Sequence, residues 1–317
     1  MSPTGLAALA LVFNAFVWGT SWWPFRRLEA LGLHPLWATV AIYGLVVLVV
    51  AVMRPRALAH LARTPGLWIL VIASGTTNAA FNWGVVIGDV VRVVLLFYLM
   101  PLWAVLLARW LLGEPLTVAA SMRVILALAG ATVVLWPGDG GWPLPASLAE
   151  ALGVIGGFSF ALNNVMLRRY AREPGDARAV AMFLGGATVA AALGLGLLAL
   201  GRIEPPTVPG GQAAAWIAAL AALFLCGNLA LQFGASRLPA NVTAVIMLVE
   251  VVFASASALV LGGGSLTLQV AAGGAMILGA SLLAARGGGA ASGGSPSAAA
   301  TISGSASPDR ASDRPPP

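Results

Sequence analysis

Apolar stretches follow one another along almost the whole chain. Short gaps separate them, marked by Pro, Gly or Arg: Arg54-Pro55-Arg56, Gly113-Glu114-Pro115, Trp136-Pro137-Gly138-Asp139-Gly140, Arg168-Arg169 and Pro205-Pro206. A run of about 20 apolar residues is what a helix needs to cross a bilayer core. The pattern predicts ten such helices, at about 5–25, 36–53, 67–87, 91–112, 118–136, 148–167, 180–200, 213–235, 239–261 and 266–285. The period-two alternation of a membrane barrel is missing. The first helix does not read as a signal peptide: no basic segment precedes it, and Asn14, Trp18, Thr20, Ser21 and Trp22 interrupt its apolar run. From Gly287 to Pro317 the chain turns to Gly, Ser, Ala and Pro, so 286–317 is expected to be a disordered tail.

Composition agrees with a lipid solvent. Only 9% of residues are charged, 59% are hydrophobic and mean hydropathy is +0.92, against about 25% charged in a soluble domain. All 17 basic residues are arginine, which with the abundant Ala and Gly fits a GC-rich, bacterial genome and hence the inner membrane. The net charge of +6 does not point to nucleic acid, because the arginines sort by side. With ten spans and a cytoplasmic N-terminus, Arg54, Arg56, Arg63, Arg109, Arg123, Arg168, Arg169, Arg172, Arg178, Arg237, Arg286, Arg310 and Arg314 lie inside. Arg26, Arg27, Arg92 and Arg202 lie outside. Both termini are therefore expected in the cytoplasm.

Two halves of the chain can be laid over one another. Phe16-Val17-Trp18-Gly19 followed by Arg26-Arg27 matches Phe158-Ser159-Phe160-Ala161 followed by Arg168-Arg169. Asn78, Asn82, Trp83 and Gly84 match Asn228, Gln232, Phe233 and Gly234, and the turn before Leu116-Thr117 matches the one before Leu266-Thr267. Five helices are an odd number, so the second half would enter the membrane upside down, the plan of many secondary transporters. The predicted fold is an all-α polytopic membrane protein. Its ten transmembrane helices form two inverted five-helix repeats, 1–136 and 148–285.

Helix 1 carries Trp18-Gly19-Thr20-Ser21. Helix 4 reads Tyr98-Leu99-Met100-Pro101-Leu102-Trp103-Ala104-Val105-Leu106-Leu107-Ala108 and runs into Leu112-Gly113-Glu114-Pro115-Leu116-Thr117; Leu248-Val249-Glu250-Val251 lies in helix 9. On these residues the chain resembles the EamA-type permeases of the drug/metabolite transporter superfamily, over about 5–285. Ala41-Ile42-Tyr43 is similar to the branch that exports aromatic amino acids and paraquat. The resemblance implies alternating-access transport of small organic metabolites such as amino acids, with export the expected direction. The chain departs from the family pattern twice. Val251 stands where a proline would distort helix 9, and Gly262-Gly263-Gly264-Ser265 replaces the second Leu-Gly-Glu. The family's basic residue near the end of helix 1 is either Arg26 or Arg27.

Polar groups in lipid are costly and face the bundle interior. Glu250 is the acidic residue placed well inside a span. Low dielectric disfavours its charged form, so it is a candidate for coupling transport to protons. The alternative is a structural carboxyl bonded to Gln232 or Asn228. The amides Asn14, Asn78, Asn82, Asn163, Asn228 and Gln232 are candidate solute contacts or interhelical glue; Asn78/Asn82 and Asn228/Gln232 each share a helix face. Trp18, Trp83, Tyr98 and Trp103 are placed deep enough to stack on a solute. Ser21 joins them on helix 1, and Met247, which aligns with Tyr98 across the repeat, on helix 9. Trp23, Trp37, Trp68, Trp136 and Trp142 suit interface anchors. Pro101 should bend helix 4, and Asp89 and Arg92 are expected to pair locally at its outer end.

Cys226 has no partner cysteine, and His34 and His60 are the only histidines, so Cys/His metal motifs are excluded. No P-loop is present, so no nucleotide or other cofactor is expected. A membrane enzyme would need an acid pair, a histidine base or a metal cluster; a channel would need charged rings or a selectivity loop. Neither pattern is visible. The expected partners are a small solute and the bilayer, with the chain a monomer or a homodimer.

Overall fold

The computed structural model describes residues 3–113, 115–137, 142–235, 237–238 and 240–291. All regular structure among them is helical. In chain order the helices are α1 (Pro3–Thr20), α2 (Trp22–Ala30), α3 (Pro35–Met53), α4 (Pro55–Arg63), α5 (Trp68–Ile87), α6 (Val90–Phe97), α7 (Met100–Leu112), α8 (Val118–Leu135), α9 (Leu148–Arg169), α10 (Gly175–Ala199), α11 (Gly211–Ala235), α12 (Ala240–Met247), α13 (Val249–Leu261) and α14 (Leu268–Ala291).

Among the described residues, eight stretches are long and apolar enough to cross a membrane: Thr4–Ala30, Pro35–Met53, Pro65–Ile87, Val90–Leu112, Val118–Leu135, Leu148–Arg169, Gly175–Ala199 and Gly211–Gly234. They fall at the first eight predicted positions. The first, fourth and ninth predicted helices are each divided, into α1 and α2, α6 and α7, and α12 and α13, and Val249–Leu261 and Leu268–Leu283 are apolar but shorter. Two boundaries and one additional helix differ for identifiable reasons. α10 starts at Gly175 because its polar first turn, with Asp176 and Arg178, is helical without being apolar. α14 continues to Ala291 because no proline interrupts the Gly/Ala run before Pro296. α4 has no apolar run long enough to signal it; it buries only Ala57 and Leu61, one turn apart on one face. Residues 292–317 of the predicted tail lie outside the described residues.

Local signals start and stop these helices. Thr117 and Ser147 accept the backbone N–H groups of Ala120 and Glu150 as N-caps, and Asp89 accepts that of Arg92. α7 and α13 end on Gly113 and Gly262, in the left-handed conformation at φ 71° and 70°.

α5 is the most enclosed of these eight spans: 72% of its most apolar stretch is buried, against 28% for α11. It packs on α9, α10 and α3, while α1 packs on α11, α13 and α12, and α8 pairs with α14. Val52, Ile72, Trp110, Val118, Val260 and Leu268 are exposed, as expected where the solvent is as apolar as the side chains. Association then depends on close packing rather than on hiding apolar surface. The α8–α14 crossing is made at Gly130 and Gly273. A Cβ at Gly273 would lie 2.6 Å from the Gly130 carbonyl oxygen, and one at Gly130 would lie 2.7 Å from that of Gly273. Gly273→Leu should therefore lower stability by about 1–3 kcal/mol through overpacking. The readout is unfolding temperature in detergent, which Leu128→Ile on the exposed face of α8 should leave unchanged.

Candidate functional site

Two spans are interrupted in the same way. The first runs eight residues as α6, turns at Tyr98-Leu99 and continues for thirteen residues as α7. The second runs eight residues as α12, turns at Leu248 and continues for thirteen as α13. In the first, Pro101 cannot donate to the carbonyl of Phe97, and the backbone of Gly157 on α9 packs directly against that carbonyl. The second interruption corrects the continuous helix predicted over 239–261, from which the proline is missing. There Val251 N–H bonds the Leu248 carbonyl at 3.1 Å, the tighter i→i−3 pattern. Gly19 of α1 approaches the Glu250 carbonyl so closely that a Cβ would lie 2.6 Å from it.

The two interruptions meet. The Tyr98 hydroxyl lies 3.4 Å from both the Met247 carbonyl and Glu250 Oε2, two acceptors for its one proton. Tyr98 is buried, and its carbonyl faces the Ser281 hydroxyl of α14 at 3.5 Å. The expected partners of Glu250, Asn228 and Gln232, bond each other instead at 2.6 Å along α11, with Gln232 exposed. Tyr98, Met247 and Glu250 are thus the candidates that the fold brings together.

The remaining candidates fall into three places. On α1, Asn14 is buried and donates to the Gly227 carbonyl of α11 at 2.9 Å, Trp18 stacks on Phe224 at 4.7 Å, and Ser21 donates to the Trp18 carbonyl. Along α7 and α9, Trp103 meets Phe158 edge-on at 5.5 Å, and Asn163 is buried. Asn14 Oδ1, Asn163 Oδ1 and Trp103 Nε1 are buried without a hydrogen-bond partner in the protein. Between α3, α5 and α10, Tyr43 donates to Asn78 at 2.6 Å, Asn78 to Ser74, and Ser74 to the Met182 carbonyl. That chain of hydrogen bonds runs through Asn78 and links three helices. Asn82 donates to Thr39 at 3.2 Å and keeps an unpartnered Oδ1. Tyr43, Thr39 and Ser74 were not among the predicted site residues; their signal was a hydroxyl in an otherwise apolar span.

Trp83 stands apart, edge-on to His34 at 5.4 Å. Both line a cavity of about 530 Å³ with Glu29, Gly32, Leu148, Leu197, Arg202, Ile203 and Glu204. It lies at the end of the bundle where α2, α5 and α10 finish, away from Tyr98 and Glu250. At this end Asp89 and Arg92 do not form the expected ion pair of side chains. Arg92 pairs with Glu150 of α9 at 2.8 Å, because Asp89 is engaged by the Arg92 backbone N–H and by Ser265. Among the described residues, no three of His, Cys, Asp and Glu group as metal ligands.

Comparison with known proteins gives three findings. Residues 5–136 match the model of the EamA-like transporter family. A protein known from a crystal structure is similar to this chain at 20% identity, with a TM-score of 0.56, over 88% of this chain and 96% of its own; that likeness concerns the fold. None of the curated proteins matches.

His34 lies between the first two spans and caps α3, its Nδ1 accepting the Leu36 N–H at 3.2 Å. An Nδ1 that accepts cannot carry a proton, and burial holds the ring below its usual value of 6.5. Protons therefore bind the unfolded chain more readily. The cap's contribution is present above about 6.5 and is lost as pH falls below it. Between about pH 7.5 and about pH 5 the unfolding temperature should drop more steeply in the wild type than in His34→Asn. The asparagine amide caps without titrating, and the difference should reach about 1 kcal/mol, the value of one cap.

Proposed function

We propose that this chain, which its EamA-like first half places in the drug/metabolite transporter superfamily, is a secondary transporter that exports amino acids or related small metabolites. In this reading ten helices cross the inner membrane as two inverted repeats, 1–136 and 148–285, with both termini in the cytoplasm. The arginine distribution supports the orientation. The likeness to a solved structure over 88% of the chain supports a single fold that takes in both halves.

The observation that carries the reading is the pair of matched interruptions. Both spans break after eight residues, resume for thirteen and stop on a left-handed glycine. Broken spans expose backbone groups that a continuous helix would satisfy, and such breaks are tolerated only where protein or a water-filled path surrounds them. Transporters place them at the solute site, between the repeats. Here the breaks are joined through Tyr98, Met247 and Glu250, with Trp18, Trp103, Asn14 and Asn163 on the neighbouring helices α1, α7 and α9. Unpartnered amide oxygens and indole N–H are groups a zwitterionic solute can satisfy. Glu250 is the coupling group: its carboxyl takes a proton in one state and gives it up in the other, exchanging it against the solute.

Liposomes containing the protein should show saturable counterflow of at least one labelled amino acid, which a channel would not. In Glu250→Gln, uptake driven by an imposed pH gradient should fall by about tenfold or more while solute exchange continues, since coupling and binding are separable free energies. Gradient-driven uptake with an unchanged pH profile would remove Glu250 from the coupling role. Absence of exchange for every amino acid tested would overturn the carrier reading.

A further inference from the structure

The Gly-Gly-Gly-Ser turn that replaces the family's second Leu-Gly-Glu is held by side chains and backbone from two other elements. Val90 N–H donates to the Gly263 carbonyl at 3.0 Å. The Ser265 N–H and hydroxyl both donate to Asp89 Oδ2, at 2.7 Å and 3.2 Å. Arg26 lies over the Trp22 ring and donates to the carbonyls of Val85, Gly88 and Gly263, the last at 3.3 Å. A side chain would prevent this approach: a Cβ at Gly263 would lie 2.5 Å from Trp22, and one at Gly264 would lie 2.8 Å from Asp89 Oδ1.

We propose that Arg26, Asp89 and the Gly262–Ser265 turn form the extracytoplasmic gate of the transport cycle, a latch that must part before solute at the Tyr98–Glu250 junction can leave. The proposal rests on the transporter reading and adds to it a named gate.

Position argues for a gate. The latch joins the outer end of α6 to the outer end of α13, the same two spans whose breaks meet below it. Tyr98 is eight residues inward from Val90, about 12 Å by helical rise. Chemistry argues for it as well. Asp89 and Arg26 do not bond each other; each holds backbone groups of a turn. Such contacts can pass to water when the turn lifts, without stranding an ion whose only partner was another ion. Packing gives the direction of movement. α6 packs on α9 as well as on α13, α7 packs on α9 and α8, and α12 packs on α14, α1 and α11. If the halves are inverted repeats, α6 corresponds to α12 and α7 to α13. The state that opens the α6–α13 contact is then the one that brings α12 and α7 together at the opposite end.

Two measurements on the full chain, both in a Cys226→Ala background, test the latch. The first needs no solute. Tyr98→Cys is labelled with an impermeant maleimide added from the latch side. Arg26→Gln, or Gly264→Leu if that variant does not fold, should raise the labelling rate about tenfold or more, as a shift toward the open state requires. An unchanged rate in a folded variant overturns the proposal. The second joins Asp89→Cys to Gly264→Cys by oxidation. The disulfide should abolish amino-acid counterflow, and reduction should restore it; full counterflow with the disulfide formed overturns the proposal. If the unmodified protein shows no counterflow for any amino acid, the transporter reading fails, and the labelling experiment alone decides whether the latch opens.

Discussion

Within a bilayer, every backbone N–H and C=O must find its partner inside the protein, and this requirement organises the whole chain. It explains why regular structure in the described residues is helical. It also makes the breaks at Tyr98-Leu99 and at Leu248 the most constrained points of the fold. Each break frees backbone groups that lipid cannot satisfy, so each has to be enclosed. α9 closes over the first with Gly157 against the Phe97 carbonyl, and α1 closes over the second with Gly19 against that of Glu250. Tyr98 then ties one break to the other.

The remaining architecture follows from packing without a hydrophobic driving force. Helices approach where side chains are missing, as at Gly130 and Gly273, or where hydroxyls and amides bond across, as from Tyr43 through Asn78 and Ser74 to Met182. An interhelical bond of this kind is worth only about 0.6 kcal/mol on average. The α3, α5 and α10 interface therefore combines a chain of such bonds with close packing rather than depending on any one of them.

The sequence made the first eight spans legible because composition and length alone identify a membrane helix. The two interruptions were only half legible. Pro101 announced the first; nothing local announces the second, where Val251 stands in place of a proline and Gly19 of α1 packs beside the turn. The family match over 5–136 covers the half that keeps its motifs, Trp18-Gly19 and Leu112-Gly113-Glu114. Glu250 could be singled out by scarcity of charge, but its partner could not. The choice between Tyr98 and the α11 amides depends on which helix faces which, and Asn228 and Gln232 turned out to bond each other. The Asn78 pair was visible as a face, though not that Asn78 would lie in a chain of bonds from α3 to α10. Asp89 read as half of a local pair with Arg92, and Arg26 as one of two candidates for the family's basic residue; their partners Ser265 and Gly263 are distant in sequence.

The two breaks, one from each half of the chain, meet at Tyr98, Met247 and Glu250. A short bifunctional thiol reagent applied to a Tyr98→Cys/Met247→Cys pair, with Cys226→Ala, tests this meeting directly. A single cross-linked peptide pair joining positions 98 and 247 is expected in the folded protein, lost on unfolding in detergent. Labelling of each cysteine without any bridge between them would contradict it.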